Sequence, residues 1–473
     1  MRDINKLRSI EYGDSKEFSL TLSVSNSAPT LFKCLKITRC LPGKRLSCIG
    51  NWKGKTIFAK FFIDPKRSKT HWQKEKQGYQ LLSAKHILAP HLLHSGIENE
   101  IYFILFEFLQ NTTPLKDAWS QSKKSEQPQL LRQLIATLAT HHENGIIQKD
   151  LHLNNFLLSN TGVYTVDGAD IRQFDPTDKQ TASNNIALFF AQFFPDNDQN
   201  INWALDQYLS LRGWTPNQQL TAQIKATTLQ IRDKRKKDRL DKTRRSCSLF
   251  DYQQNWSQLA ICSRKFQSNE MQAFLNSPES FISNANLLKN GNTCTVVIVT
   301  INHIDMVVKR YNIKNWRHFL SRSLRPSRAI ISWTNAHLLR FYGISTPEPV
   351  AVIEKRWGPV RKTAYFVSEL SKGETADVFF KSVKTSLTTK QNVAQSITKL
   401  LQAMHSLKIS HGDLKTSNFM ISNTEASIID LDSMKQHTAL SHFKKAKKKD
   451  IKRFFKNWRD APSIEAFFID KLK

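Results

Sequence analysis

The feature that most constrains this chain is an internal repeat. Residues 142–167 read HENGIIQKDLHLNNFLLSNTGVYTVD and residues 405–430 read HSLKISHGDLKTSNFMISNTEASIID; they align without a gap, 263 residues apart. His142 matches His405, Asp150 matches Asp413, Asn155 matches Asn418, Phe156 matches Phe419, and Asp167 matches Asp430. A pattern written twice implies two like bodies, so repeats decide architecture before any local reading. Length agrees, because single cores stop growing beyond about 250–300 residues and this chain has 473. The expected division is a first domain over 1–225, a basic helical connector over 226–265 and a second domain over 266–473.

Each copy sits in the same order of elements. In the first, TIFAKFFI (56–63) and IYFILFEF (101–108) read as strands around a helical HWQKEKQGYQLLSA (71–84). A helix LLRQLIATLATHH (130–142) then stops near Asn144-Gly145, followed by a loop, a strand, a turn and a second strand. The second copy repeats this order with MVVKRY (306–311), SRAIISWTNAHLLRFYG (327–343), TAYFVSEL (363–370) and QNVAQSITKLLQAMHSL (391–407).

Three polar residues recur at fixed spacing: an Asp, an Asn five residues on and a second Asp twelve beyond that. Phosphoryl transfer gives this spacing a rationale. The first Asp, Asp150 or Asp413, would orient an acceptor hydroxyl and take its proton. Asn155 with Asp167, and Asn418 with Asp430, would offer hard oxygens to Mg²⁺ bridging the phosphates of ATP. The same template asks for a strand lysine held by a helix glutamate. Lys60 and Glu75 supply these in the first copy and Lys309 supplies the lysine in the second, but the position matching Glu75 is Ser332. The second copy has lost the acidic partner or uses another. Glu107 and Glu369, at the ends of the strands IYFILFEF and TAYFVSEL, complete the nucleotide-binding candidates.

At these residues the sequence resembles the lipopolysaccharide kinase family, in LPGKRLSCIGNWKGKTIFAKFF, QKDLHLNNFLL and VDG of the first copy and in KNGNTCTV, VVKRYN, HGDLKTSNF and IIDLD of the second. The resemblance implies an α+β fold: two tandem protein-kinase-like domains, each with a small β-rich N-lobe and a larger helical C-lobe. It also implies ATP and Mg²⁺ as cofactors and a heptose or Kdo sugar of the lipopolysaccharide inner core, on lipid A, as acceptor. The expected location is the cytoplasmic face of the bacterial inner membrane, as a peripheral protein. Departures are visible. Neither copy has a full G-x-G-x-x-G loop; Gln148 stands where the second copy has His411, and Asn185 where it has Asp450.

Charge bears on partners. Lys+Arg 70 against Asp+Glu 40 leaves a net +30, which attracts polyanions, and an anionic membrane surface is the expected one. Nucleic acid is a weaker reading, resting on the run IRDKRKKDRLDKTRRS (231–246) and on Trp316, Trp333 and Trp357 among Arg317, Arg325, Arg328, Arg356 and Arg361. Six scattered cysteines without a CxxC pair argue against a zinc site or disulfide framework, and the first thirty residues lack an apolar run of signal-peptide length. Two other classes stay open: a protein kinase, disfavoured by the short span from Asp167 to Asn185 and from Asp430 to Asp450, and a partly inactive scaffold.

Overall fold

Period-two alternation turns each lysine-bearing strand into a device with two faces. In KTIFAKFF, Ile57, Ala59 and Phe61 are buried on one face, and successive side chains of a strand point to opposite sides, so Lys60 projects with Phe58 and Phe62 from the other. A computed structural model describes residues 4–10, 17–23, 28–283, 285–312, 325–383, 385–458 and 462–472. The chain forms two compact units. Unit one comprises Met1–Phe193 and Asn197–Arg232, and unit two comprises Phe194–Asp196 and Asp233–Lys473.

Both units are α+β: an antiparallel sheet with a helix packed on its lysine-bearing face, followed by a mainly helical part. The sheet of unit one runs Ser19–Leu22, Thr30–Leu41, Arg45–Trp52, Lys55–Phe62, Ile101–Glu107, Leu92–Glu98. That of unit two runs Phe250–Gln254, Gln258–Ser263, Pro349–Trp357, Val360–Glu369, Ile304–Tyr311, Cys294–Ile301, Asn286–Asn290. Read from opposite ends, five strands occur in the same order, with the lysine strand between the same two neighbours. Lys60 lies opposite Ser47 and Ile104, and Lys309 opposite Val296 and Phe366.

The helix Ser68–Ala84 packs on the lysine face of its sheet, where Tyr79 and Leu82 meet Phe62, Ile104 and Phe106. Arg328–Phe341 does the same in unit two through Trp333, which meets Tyr311, Val352 and Ala364. The helical part of unit one gathers Leu131, Leu134, Ile135 and Leu138 of Gln127–Glu143 against Ile186, Phe189, Phe190 and Tyr208. In unit two Val393, Ile397, Leu401 and Met404 of Leu387–Ser406 pack against Phe419, Ile428 and Phe454. In each case the helix delivers the chain to the repeated loop and its hairpin, Phe156–Ser159 with Gly162–Thr165 and Phe419–Ser422 with Glu425–Ile428.

The stretch 226–265 is more structured than a connector. It continues the helix Gln218–Lys242, passes into unit two at Asp233 and then forms the strands Phe250–Gln254 and Gln258–Ser263, the latter pairing with Pro349–Trp357. A charge run reports a solvated helix face, whereas the strands after it are set by an open sheet edge. The tryptophans divide. Trp333 is fully buried with Nε1 donating to the Thr243 carbonyl at 3.1 Å, Trp357 is exposed, and Trp316 and Arg317 lie outside the described residues. Among the described residues no helix is long and apolar enough to cross a membrane.

His142 and His405, expected to pack or cap at their helix ends, do so. His142 bridges Tyr208 (Nδ1 to Oη, 2.6 Å) and Asn185 (Nε2 to Oδ1, 3.1 Å). Burial pushes it down to about 4, pushes its neighbour His141 down to about 3, and pushes His405 down to about 4. An unfolded histidine protonates near pH ~6.5, so below that value the unfolded chain binds more protons than the folded one. Stability is therefore highest above about pH 6.5 and falls as pH drops toward 4, by up to about 1.4 kcal/mol per pH unit for each histidine. Urea unfolding at pH 7 and pH 5 should show a lower midpoint at pH 5, with a smaller drop in His141→Gln; equal midpoints would contradict this account.

A close backbone approach fixes the helix of unit one against the loop that follows Asp167. A Cβ on Gly78 would stand 1.9 Å from the carbonyl oxygen of Gly168. Unit two has Asn335 at the matching position, and its Nδ2 donates to the carbonyls of Leu431 (2.8 Å) and Met434 (2.9 Å). Gly78→Ala should push helix and loop apart and cost on the order of 1–3 kcal/mol, as overpacking does. Denaturant unfolding of the full chain checks this, and an unchanged first transition would show that the approach is relaxed at no cost.

Candidate active site

Each repeated loop is tied by the same three bonds. In unit one the Nδ2 of Asn155 donates to the Asp150 carbonyl at 2.7 Å, the Asn155 amide to the His152 carbonyl at 2.9 Å, and the Val166 amide to the Asn155 carbonyl at 2.8 Å. In unit two Asn418 Nδ2 donates to the Asp413 carbonyl at 2.8 Å, its amide to the Lys415 carbonyl at 3.0 Å, and the Ile429 amide to the Asn418 carbonyl at 2.9 Å. Both asparagines are buried. With the amide nitrogen engaged, the side-chain oxygen of each is left as an acceptor.

The hairpin then returns the chain to Asp167 and Asp430, both in the left-handed region at φ 70° and 63°. Asp tolerates that region better than most residues, yet it is sparsely populated and its recurrence marks functional sites. The backbone turn aims each carboxylate at the strand lysine. Lys60 Nζ lies 2.5 Å from Glu75 Oε1 and 3.4 Å from Asp167 Oδ1. Glu75 is fully buried and also accepts from the amides of Gly168 (3.3 Å) and Ala169 (3.2 Å). Lys60, Glu75 and Asp167 are thus one cluster, as their types and order predict.

Its electrostatics follow from burial and pairing. Lys60 holds Asp167 down to about 2, against desolvation. Burial alone would lower Lys60, but Glu75 and Asp167 outweigh it and raise it above the usual lysine range. Burial pushes the Glu75 carboxyl up, against the pull of Lys60. Near neutrality the lysine is a cation and Asp167 an anion.

Unit two reaches a similar result with different residues. Lys309 contacts Asp430 and lies 3.0 Å from Asp432 Oδ2, while Ser332, where Glu75 stands, bonds the Tyr311 hydroxyl at 2.9 Å. Burial opposes the charge on Lys309, but Tyr311, Asp430 and Asp432 raise it. The sequence assigns Asp432 no role, although IIDLD carries it two residues past Asp430.

Of the remaining departures, one changes the donor residue on a kept carbonyl and another exchanges donor for acceptor. Gln148 Nε2 donates to the Val166 carbonyl at 3.1 Å, and His411 Nε2 lies 3.0 Å from the matching Ile429 carbonyl. Asp450 is buried and accepts from the amides of His411 (2.7 Å) and Gly412 (3.0 Å). Asn185 instead donates to the Gln148 carbonyl at 2.9 Å. Gly50 of unit one lies in a strand against the Phe32 ring, so it serves packing and not a phosphate loop.

The Asp150 carboxylate is more than half exposed and lies 3.5 Å from His152 Nε2. Asp413 is paired with Arg453 and, at 3.2 Å, with Lys415 Nζ. Desolvation works to raise it, but Lys415 and Arg453 hold it below the usual carboxylate range. Glu107 borders a cavity of about 330 Å³ lined also by Phe108, Leu109, Gln110, Thr112, Ser159 and Tyr164. Glu369 lies apart from the lysine cluster and pairs with Lys265 at 3.6 Å. Among the described residues no three His, Cys, Asp or Glu side chains gather as a metal site; one carboxylate and one amide oxygen per unit suit a Mg²⁺ whose other ligands are phosphates and water.

No curated protein matches the chain. A solved structure described as that of vaccinia related kinase 3 is similar over 37% of this chain and 58% of its own length, at 14% identity and a TM-score of 0.25. The model of the lipopolysaccharide kinase (Kdo/WaaP) family matches residues 272–466, a stretch that contains Lys309, Asp413, Asn418, Asp430, Asp432 and Asp450. Over that segment the chain is similar to the lipopolysaccharide kinase (Kdo/WaaP) family.

Proposed function

We propose that this chain is an ATP-dependent kinase that phosphorylates a heptose or Kdo hydroxyl of the lipopolysaccharide inner core, with both units equipped for transfer. One observation carries the reading: in each unit a buried lysine meets the carboxylate that ends the hairpin, while the loop Asp and its bracing Asn stand at identical spacing. The family match over 272–466 supports a phosphotransferase, and the repeat extends it to unit one.

In this reading Asn155 with Asp167, and Asn418 with Asp430, hold Mg²⁺. When bound, Mg²⁺–ATP supplies the phosphoryl group and neutralises charge developing on its oxygens. Lys60 and Lys309 are the cations for the nucleotide phosphates. Asp150 and Asp413 orient the acceptor hydroxyl and take its proton. Glu107 lines the cavity beside its strand end, on the nucleotide side, and Glu369 is its counterpart in unit two.

The acceptor's chemistry matches the surface. The helix Leu440–Phe455 buries Phe443, Asp450 and Phe454 and leaves Lys444, Lys445, Lys448, Lys449 and Lys452 exposed. An anionic lipid surface attracts such a face by about 1 kcal/mol per nearby Lys or Arg. This favours lipopolysaccharide at the cytoplasmic leaflet, with the protein peripheral to it.

The test uses the purified full chain with ATP, Mg²⁺ and deacylated core oligosaccharide, read by mass spectrometry for one added phosphate per site. Asp150→Asn and Asp413→Asn should each remove transfer by their own unit, with losses of about 10²–10⁴-fold, and leave the fold intact because both carboxylates reach solvent. Unchanged turnover in the double variant would discard the assignment; transfer to a protein but not to the oligosaccharide would replace the acceptor.

A further inference from the structure

Unit two lacks the helix glutamate that holds the strand lysine in unit one, yet Lys309 is as deeply buried as Lys60, at 13% and 12% side-chain exposure. A buried ammonium without a second carboxylate would be strongly disfavoured once Asp430 turned to another partner. The residues around Lys309 show where the missing charge went.

In unit one the helix contributes the acid and the loop contributes backbone donors: Glu75 accepts from Lys60 and from the amides of Gly168 and Ala169. Position 432 of unit two corresponds to Ala169 in the repeat. Its carboxylate, 4% exposed, accepts from Lys309 at 3.0 Å and from Arg328 Nη2 at 2.8 Å. Arg328 is the first residue of the helix Arg328–Phe341. The tie between helix and loop is therefore kept with its charges exchanged: acid on the loop, guanidinium on the helix. Tyr311 stands where unit one has Phe62, and its hydroxyl bonds Ser332, the position that matches Glu75.

We infer that Asp432 is the positioning residue for Lys309, a carboxylate relocated from helix to loop that keeps unit two competent for nucleotide without a helix glutamate. This rests on the kinase reading above and deepens it. The two acidic residues divide the work: Asp430, also paired with Lys309, is the one aimed at the cation, while Asp432 retains Lys309 when Asp430 turns to it and, through Arg328, ties in the helix. Desolvation opposes charge on Asp432, but Lys309 and Arg328 outweigh it and keep it anionic.

The test is made in the full chain carrying Lys60→Met and Asp150→Asn, so that unit two alone reports, with two readouts: affinity for a fluorescent ATP analogue, and kcat and KM for ATP on the deacylated core. Asp432→Asn should weaken analogue affinity at least tenfold and raise the KM for ATP by a similar factor, while Asp432→Glu should stay within tenfold of the parent. Rebuilding the arrangement of unit one, Tyr311→Phe with Ser332→Glu, in an Asp432→Ala background should regain at least tenfold in affinity. Affinity and KM within twofold of the parent in Asp432→Asn overturn the inference, as does loss in Asp432→Asn that neither Asp432→Glu nor the rebuilt cluster repairs. A parent chain that binds no analogue and transfers no phosphate instead overturns the kinase reading of unit two.

Discussion

An ammonium group buried against carboxylates organises each half of this protein. Taking a lysine out of water costs several kcal/mol and is offset only by close, well-hydrogen-bonded partners; removing one partner of such a pair typically costs about 3–5 kcal/mol. The strand, the helix packed on the sheet and the loop after the hairpin are held in register because Lys60 needs Glu75 and Asp167 together, and Lys309 needs Asp430 and Asp432. These carboxylates lie 15 to 123 residues from their lysines in the chain. The ion cluster is thus a long-range constraint on how strand, helix and loop come together.

Comparison of the two units shows contacts kept while residues change. A Val or Ile carbonyl before the hairpin Asp is met by glutamine in one unit and histidine in the other. The loop backbone is braced by an asparagine donating to a carbonyl or by an aspartate accepting from two amides. The helix meets the loop by bare glycine contact or through an asparagine side chain. The apparent defects seen in the sequence are mostly these exchanges. A buried polar group must find a partner, but either side of the bond is able to supply the donor.

The strands, helices and hairpins around the repeat were legible because alternation and helical spacing are local. The Asp-Asn-Asp trio was legible for the same reason: five residues span one loop and twelve span one hairpin. Lys60 and Glu75 were readable from element order. The roles of Asp432 and Arg328 were not, since neither position announces a partner about a hundred residues away, and Ser332 left open whether the acidic partner was lost or replaced. The strands after the lysine-rich helix were hidden too, because DYQQ and its neighbours gain their state from the exposed edge of Pro349–Trp357.

By itself, then, the amino-acid order determined that one Asp-Asn-Asp pattern is written twice in this protein among like elements, because short-range spacing and periodicity are properties of consecutive residues. Only the tertiary structure decided which carboxylate serves which lysine. Burial prices every unpaired charge, and the helix and loop that share the cost come together only when the sheet has formed beneath them.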